Sequence, residues 1–150
     1  MKGAGVMANR NEAATFAVTT EEAPAAIGPY SQGVAWEHGQ RLVFVSGQLP
    51  IDPKTGAVTL GALGAQTTLA LSNALAVVRA AGGSRTDVVK TTLFLRDLSQ
   101  YDVVNIAYAK VFDGHQPARS VVGVSALPRN VGIEVEVVAV VACSECEGQG

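Results

Sequence analysis

The chain has 150 residues, about one domain's worth, with 48% apolar and 16% charged residues, which excludes wholesale disorder. Eleven Lys and Arg against 13 Asp and Glu leave a formal charge of −2, a balance that argues against a protein coating a polyanion. The longest apolar run, residues 137–143, is far short of the roughly 20 residues needed to cross a bilayer, and residues 1–12 lack a secretory apolar stretch, so a cytoplasmic protein with no membrane association is expected.

Residues 1–12 mix Gly, Ala, Asn and charges without periodicity and read as a flexible extension, with Met7 an alternative start. A short strand is expected at 15–18. Residues 23–30, APAAIGPY, read as an ordered loop, because Pro29 biases Gly28 out of the helical region. Strand-like runs at 32–36 and 41–46 flank a turn at His38, Gly39 and Gln40. Residues 50–56, PIDPKTG, form a turn-rich loop. A helix is predicted over 63–81, where Leu71, Ala74, Leu75, Val78 and Ala81 share one face, and Gly82-Gly83 ends it. A strand follows at 88–95. A second helix spans about 100–112, with Ser99 and Asp102 resembling a capping box and Val104, Tyr108, Val111 and Phe112 as its apolar face. The last strands are 119–124 and 133–142. In the final one, Ile133, Val135, Val137, Ala139 and Val141 point one way, and Glu134, Glu136, Val138 and Val140 the other. The order β-β-β-α-β-α-β-β describes one α+β domain over 13–142, with two helices on one face of a mixed sheet. Residues 143–150 read as a flexible tail.

Several residues stand out chemically. Arg119 opens a strand. It is a solvated edge residue or a clamp that grips a carboxylate through two parallel hydrogen bonds. Glu134 lies on a strand apolar on one face and partly on the other, so its carboxylate either has a structural partner or acts as a general acid/base. Glu136 shares its face and competes for either role. Tyr30 sits on a loop stiffened by Gly28 and Pro29, either packing or presenting its hydroxyl to a ligand. Gly47, after Ser46, permits close approach to a ligand or a plain bulge, and the segment lacks the spacing of a phosphate loop. His115, just before Arg119, is placed to line a pocket, whereas His38 in the turn faces solvent. Cys143-x-x-Cys146, with no second cysteine pair and two histidines, falls short of a tetrahedral metal site, and no metal is expected.

Six segments, APAAIGPYSQG, VSGQLPIDPKTG, VVKTTLFLRDL, YDVVNIAYAKVF, PARSVVGVSALP and IEVEVVAV, together resemble the RidA (YjgF) family of enamine/imine deaminases, in that family's order, over about residues 15–142. The resemblance implies a chorismate-mutase-like fold and a homotrimer with active sites in clefts between subunits. It implies hydrolysis of reactive 2-imino acids, such as 2-aminoacrylate and 2-iminopropionate released by PLP-dependent dehydratases, to 2-oxo acids and ammonia, a metabolite-damage role that uses no cofactor. By the same resemblance Arg119 holds the substrate carboxylate and Glu134 assists water attack. Tyr30, Ser46, Gly47, Asn105 and Val121 would line the substrate pocket. Val121 stands where some close relatives carry cysteine, and Gly123 where many carry glutamate. Two other readings remain open: an endoribonuclease or translation inhibitor, which the acidic balance and the lack of a basic, aromatic-interleaved stripe argue against, and a non-catalytic trimer that binds small carboxylates.

Overall fold

A computed structural model describes residues 14–142. The expected N-terminal extension with Met7 and the tail with Cys143 and Cys146 lie outside the described residues. Alternation of apolar side chains builds strands β1 (Ala14–Val18), β2 (Gly33–His38) and β3 (Gln40–Gln48). Helix α1 (Leu63–Ala80), strand β4 (Val88–Leu95), helix α2 (Tyr101–Phe112) and strands β5 (Ala118–Gly123) and β6 (Ile133–Ala142) follow. This is the element order expected from the sequence. The six strands form one sheet, ordered β1-β2-β3-β6-β4-β5. Every pairing is antiparallel except β4 with β5, which α2 connects as a parallel crossover.

Two local expectations are corrected. The β2–β3 turn shrinks to Gly39 alone, because its φ of 76° reverses the chain in one step and lets His38 pair with Gln40. The capping box at Ser99 and Asp102 does not form. Asp97 acts instead, accepting from Ser99 N at 2.9 Å and Ser99 Oγ at 2.6 Å, and it caps a short 3-10 turn, Leu98–Gln100, that feeds α2. A side chain two residues upstream satisfied the turn first, leaving Ser99 engaged. The stop at Gly82-Gly83 forms as expected. Gly82 takes φ 89°, its N–H donates to Arg79 O at 2.9 Å, and the Gly83 N–H donates to Val78 O at 3.0 Å.

The core lies between the sheet and the helices. Ile133, Val135, Val137, Ala139 and Val141 of β6, with Val43 and Val45 of β3, meet Leu71, Ala74, Val77 and Val78 of α1 and Val104 and Phe112 of α2. Glu134, Glu136, Val138 and Val140 project from the opposite face, which no helix covers. On that face the register aligns Val34, Phe44 and Val138 in one row and Trp36, Leu42 and Val140 in the next. Val34, Trp36 and Phe44 are all exposed. Among the described residues, no helix is long and apolar enough to cross a membrane.

Candidate active site

A cleft of about 670 Å³ opens where the loop before β2, the end of β3 and the start of β6 converge. Tyr30, Ser46, Gly47 and Glu134 all line it. Each is held by a local device. Gln32 is buried and pins the loop: its amide nitrogen donates to the carbonyls of Thr20, Ala23 and Pro24, and its oxygen accepts from Thr20 N. Ser46 Oγ donates to Ser31 O at 2.6 Å and ties the same loop to β3. Behind the cleft residues Leu49 and Ile51, Asn73 of α1 donates to Leu49 O at 3.0 Å and Ile51 O at 2.8 Å.

The ladder between β3 and β6 breaks between Val45 and Gln48. That irregularity sets Gly47 against Glu134 so closely that a Cβ there would overlap the carboxylate. The Glu134 side chain makes no hydrogen bond or ion pair among the described residues. Burial pushes its carboxyl above the ordinary glutamate range, and the neighbouring Glu136 pushes it the same way. A half-buried carboxyl of raised proton affinity, facing a cleft, is suited to moving a proton.

Arg119, Asn105 and Val121 lie elsewhere. Arg119 pairs in register with Thr91, whose hydroxyl meets Tyr108 Oη at 2.9 Å on the helical side of the sheet. Arg119 therefore projects from the face opposite to Glu134. Its Nη2 donates to Tyr101 Oη at 2.8 Å, and its guanidinium carbon lies 5.5 Å from the Tyr101 ring centroid and 4.7 Å from that of Tyr108. Tyr101, Asn105 and Tyr108 follow the i, i+4, i+7 spacing of one face of α2. Asn105 Oδ1 is buried without a hydrogen-bond partner, an acceptor left for a group that the single chain does not supply. Val121 packs beside this group, against the core. Gly123 lets the β5 backbone approach Leu98, since a Cβ there would lie 2.8 Å from Leu98 Cδ1.

The sequence-predicted residues thus form two clusters on opposite faces of one sheet. His115 joins neither: its Nε2 lies 2.8 Å from Val88 O, and its ring packs near Phe112. His38 is exposed, edge-on to Trp36. Arg129, which the sequence reading passed over, lines the Glu134 cleft. As a lone arginine in a loop it carried no sequence signal of its own.

The family profile described as Endoribonuclease L-PSP matches residues 20–141. The 2-iminobutanoate/2-iminopropanoate deaminase of Salmonella typhimurium is 49% identical over 126 residues, covering 82% of this chain and 95% of that protein. The chain belongs to the RidA/YjgF family. The crystal structure of the YjgF gene product from E. coli, 46% identical, superposes with a TM-score of 0.77 and covers 83% of this chain and 98% of that one. E. coli TdcF, crystallised with bound serine, is 42% identical with the same TM-score and the same coverage of both chains. This RidA/YjgF member therefore shares its α+β architecture with solved relatives over most of its length.

Proposed function

We propose that this RidA/YjgF chain hydrolyses 2-imino acids, and their enamine tautomers, to 2-oxo acids and ammonia at sites built from two subunits. The observation that carries the reading is the separation of two incomplete clusters. Glu134 faces a cleft with no cation paired to it, and Arg119 lies beside an orphaned Asn105 acceptor on the other face of the sheet. A neighbouring copy that brings its Arg119 cluster to this chain's cleft completes a site. The 49% identity to a protein named 2-iminobutanoate/2-iminopropanoate deaminase supports the chemistry. The serine bound in TdcF supports a small carboxylate ligand.

In the proposed site, Arg119 holds the substrate carboxylate through its guanidinium fork, and Tyr101 and Tyr108 fix the fork's orientation. Glu134 takes a proton from water as the oxygen attacks the imine carbon. It then returns that proton to nitrogen, giving the carbinolamine. Glu134 next takes the hydroxyl proton and passes it to the amino nitrogen as the carbon–nitrogen bond breaks, so ammonia leaves and the carbonyl forms. Tyr30, Ser46, Gly47, Asn105 and Val121 shape the pocket around the reacting carbon. The open apolar face with Trp36, Phe44 and Val138 would be covered by neighbouring copies in a homotrimer. PLP-dependent dehydratases are the class of enzyme that would supply the substrate.

RNA cleavage is disfavoured. The formal charge of −2, with Arg41, Arg79 and Arg85 already held by carboxylates on Glu37, Glu22 and Asp113, gives no support to a basic track for a nucleic-acid backbone.

The test couples the purified protein to a threonine dehydratase, with semicarbazide trapping free imine. Wild type suppresses trapping, whereas Arg119→Ala and Glu134→Gln do not. Mixing the two variants and reassembling them restores roughly a quarter of the sites, because only half of each contribution is intact. No restored activity in verified mixed trimers would show that sites are not shared. A wild-type trimer that gains melting temperature from small carboxylates yet never releases ammonia would be a binder, not an enzyme.

A further inference from the structure

The cleft holds a cation that the proposed chemistry does not use. Pro128–Asn130 form a short turn leading into β6. Arg129 and Asn130 both take positive φ, 56° and 57°, the left-handed region that residues with a Cβ enter only at a steric cost. Arg96 holds this conformation: its Nη1 donates to Asn130 O at 3.1 Å and also to Asn130 Oδ1. The turn is thereby fixed with Arg129 lining the same cleft as Tyr30, Ser46 and Glu134.

The Arg129 guanidinium has no hydrogen-bond or ion-pair partner among the described residues. Nor is it the counter-ion of Glu134, whose carboxyl is pushed up by burial and Glu136 with no cation pulling it down. Asp52, the other carboxylate of the cleft, is occupied by the backbone N–H groups of Lys54 at 2.8 Å and Thr55 at 3.2 Å. The same cleft also carries apolar side chains, among them Ile27, Leu49 and Ile51. A cleft of about 670 Å³ has room for more than a three-carbon imino acid. An unpaired cation in a partly apolar cleft of this size suits a ligand with a carbon spacer and a second negative charge.

We infer that Arg129 is a second anion subsite, which takes the distal carboxylate of dicarboxylic 2-imino acids while Arg119 of a neighbouring copy takes the first. The inference rests on the proposed placement of the substrate carboxylate at Arg119. The reaction is unchanged: water adds, the carbon–nitrogen bond breaks, and a 2-oxo dicarboxylate and ammonia leave. Arg129 sets which side chain is favoured and touches no reacting atom.

Calorimetric titration with stable product analogues tests it, using 2-oxoglutarate for the dicarboxylic class and 2-oxobutanoate for the monocarboxylic class. Wild type should bind 2-oxoglutarate more tightly. Arg129→Ala should weaken 2-oxoglutarate about tenfold or more and leave 2-oxobutanoate within about twofold, with Arg129→Lys intermediate. Arg119→Ala should weaken both. The inference is overturned if wild type does not prefer 2-oxoglutarate, or if Arg129→Ala weakens both acids equally or neither. Imine turnover is scored separately on 2-iminobutanoate with wild type, so failure of the deaminase reading and failure of the subsite give different patterns.

Discussion

Burial, and then the charge of Glu136, raise the proton affinity of Glu134, and both activity and stability inherit that shift. In its proposed role as a base, Glu134 works ionised, so kcat/KM should fall as the pH drops through its raised value. Glu136→Gln removes a like charge and should move that acidic limb to lower pH, read from the pH profile. The stability sign is opposite. The folded chain holds this proton more tightly than the unfolded chain, so the contribution is complete below the ordinary glutamate range and is lost as pH rises through the raised value. Glu134→Gln should therefore raise the melting temperature at neutral pH, with the gain vanishing in acid, while kcat falls about 100-fold or more. On the other face, Tyr101→Phe removes the hydroxyl that fixes Arg119. The expected result is a KM several-fold higher, about 2- to 10-fold, with kcat little changed and rescue by no other aromatic lacking an acceptor oxygen. Residue chemistry in the sequence was enough to single out Arg119, Glu134 and Tyr30. It was not enough to find Arg129 or Tyr101, because an arginine in a loop and a tyrosine at a helix start have no signature until their neighbours are known.

At the scale of elements, the site depends on the irregularity at the end of β3. The break between Val45 and Gln48 brings Gly47 against Glu134, where an added Cβ would meet the carboxylate and force that side chain to turn away. Gly47→Ala should displace the carboxylate or the strand end and abolish imine hydrolysis. Far-ultraviolet circular dichroism should stay native, because the α1 and β6 core is untouched. Retained wild-type activity would show that Glu134 need not sit there. The regular elements were readable from periodicity: α1 and the final strand appear within a residue of expectation, since their apolar spacing repeats over several turns or pleats. The misreadings fell at the ends. Asp97 outcompeted the Ser99 cap, and Gly39 closed its hairpin alone, because several local hydrogen-bonding solutions compete at an element's end and only the folded geometry selects one.

For the whole molecule, the helices cover one face of the sheet and leave Trp36, Phe44 and Val138 on the other. If copies cover this face, Phe44→Glu should dissociate the assembly, because burying an unpaired carboxylate in an apolar interface is costly. Light scattering coupled to size exclusion would then report single chains, and turnover should be lost with the shared sites. A trimer that persists in Phe44→Glu would place the interface elsewhere.

From the sequence by itself follow the α+β element order, the apolar face of each strand and helix, the family and the identity of its chemically capable residues. These depend on short-range periodicity and on motifs contiguous in the chain. Tertiary structure alone decided which of those residues meet. Strand alternation and a six-strand order that inserts β6 between β3 and β4 put Glu134 with Tyr30 and Ser46 on one side, and Arg119 with Asn105 on the other. The strand order is written in no local pattern, and the sequence offers the break at Gly47 only as one of two readings. Both arise from long-range pairing, in which the burial of one face decides where every side chain of the other face must stand.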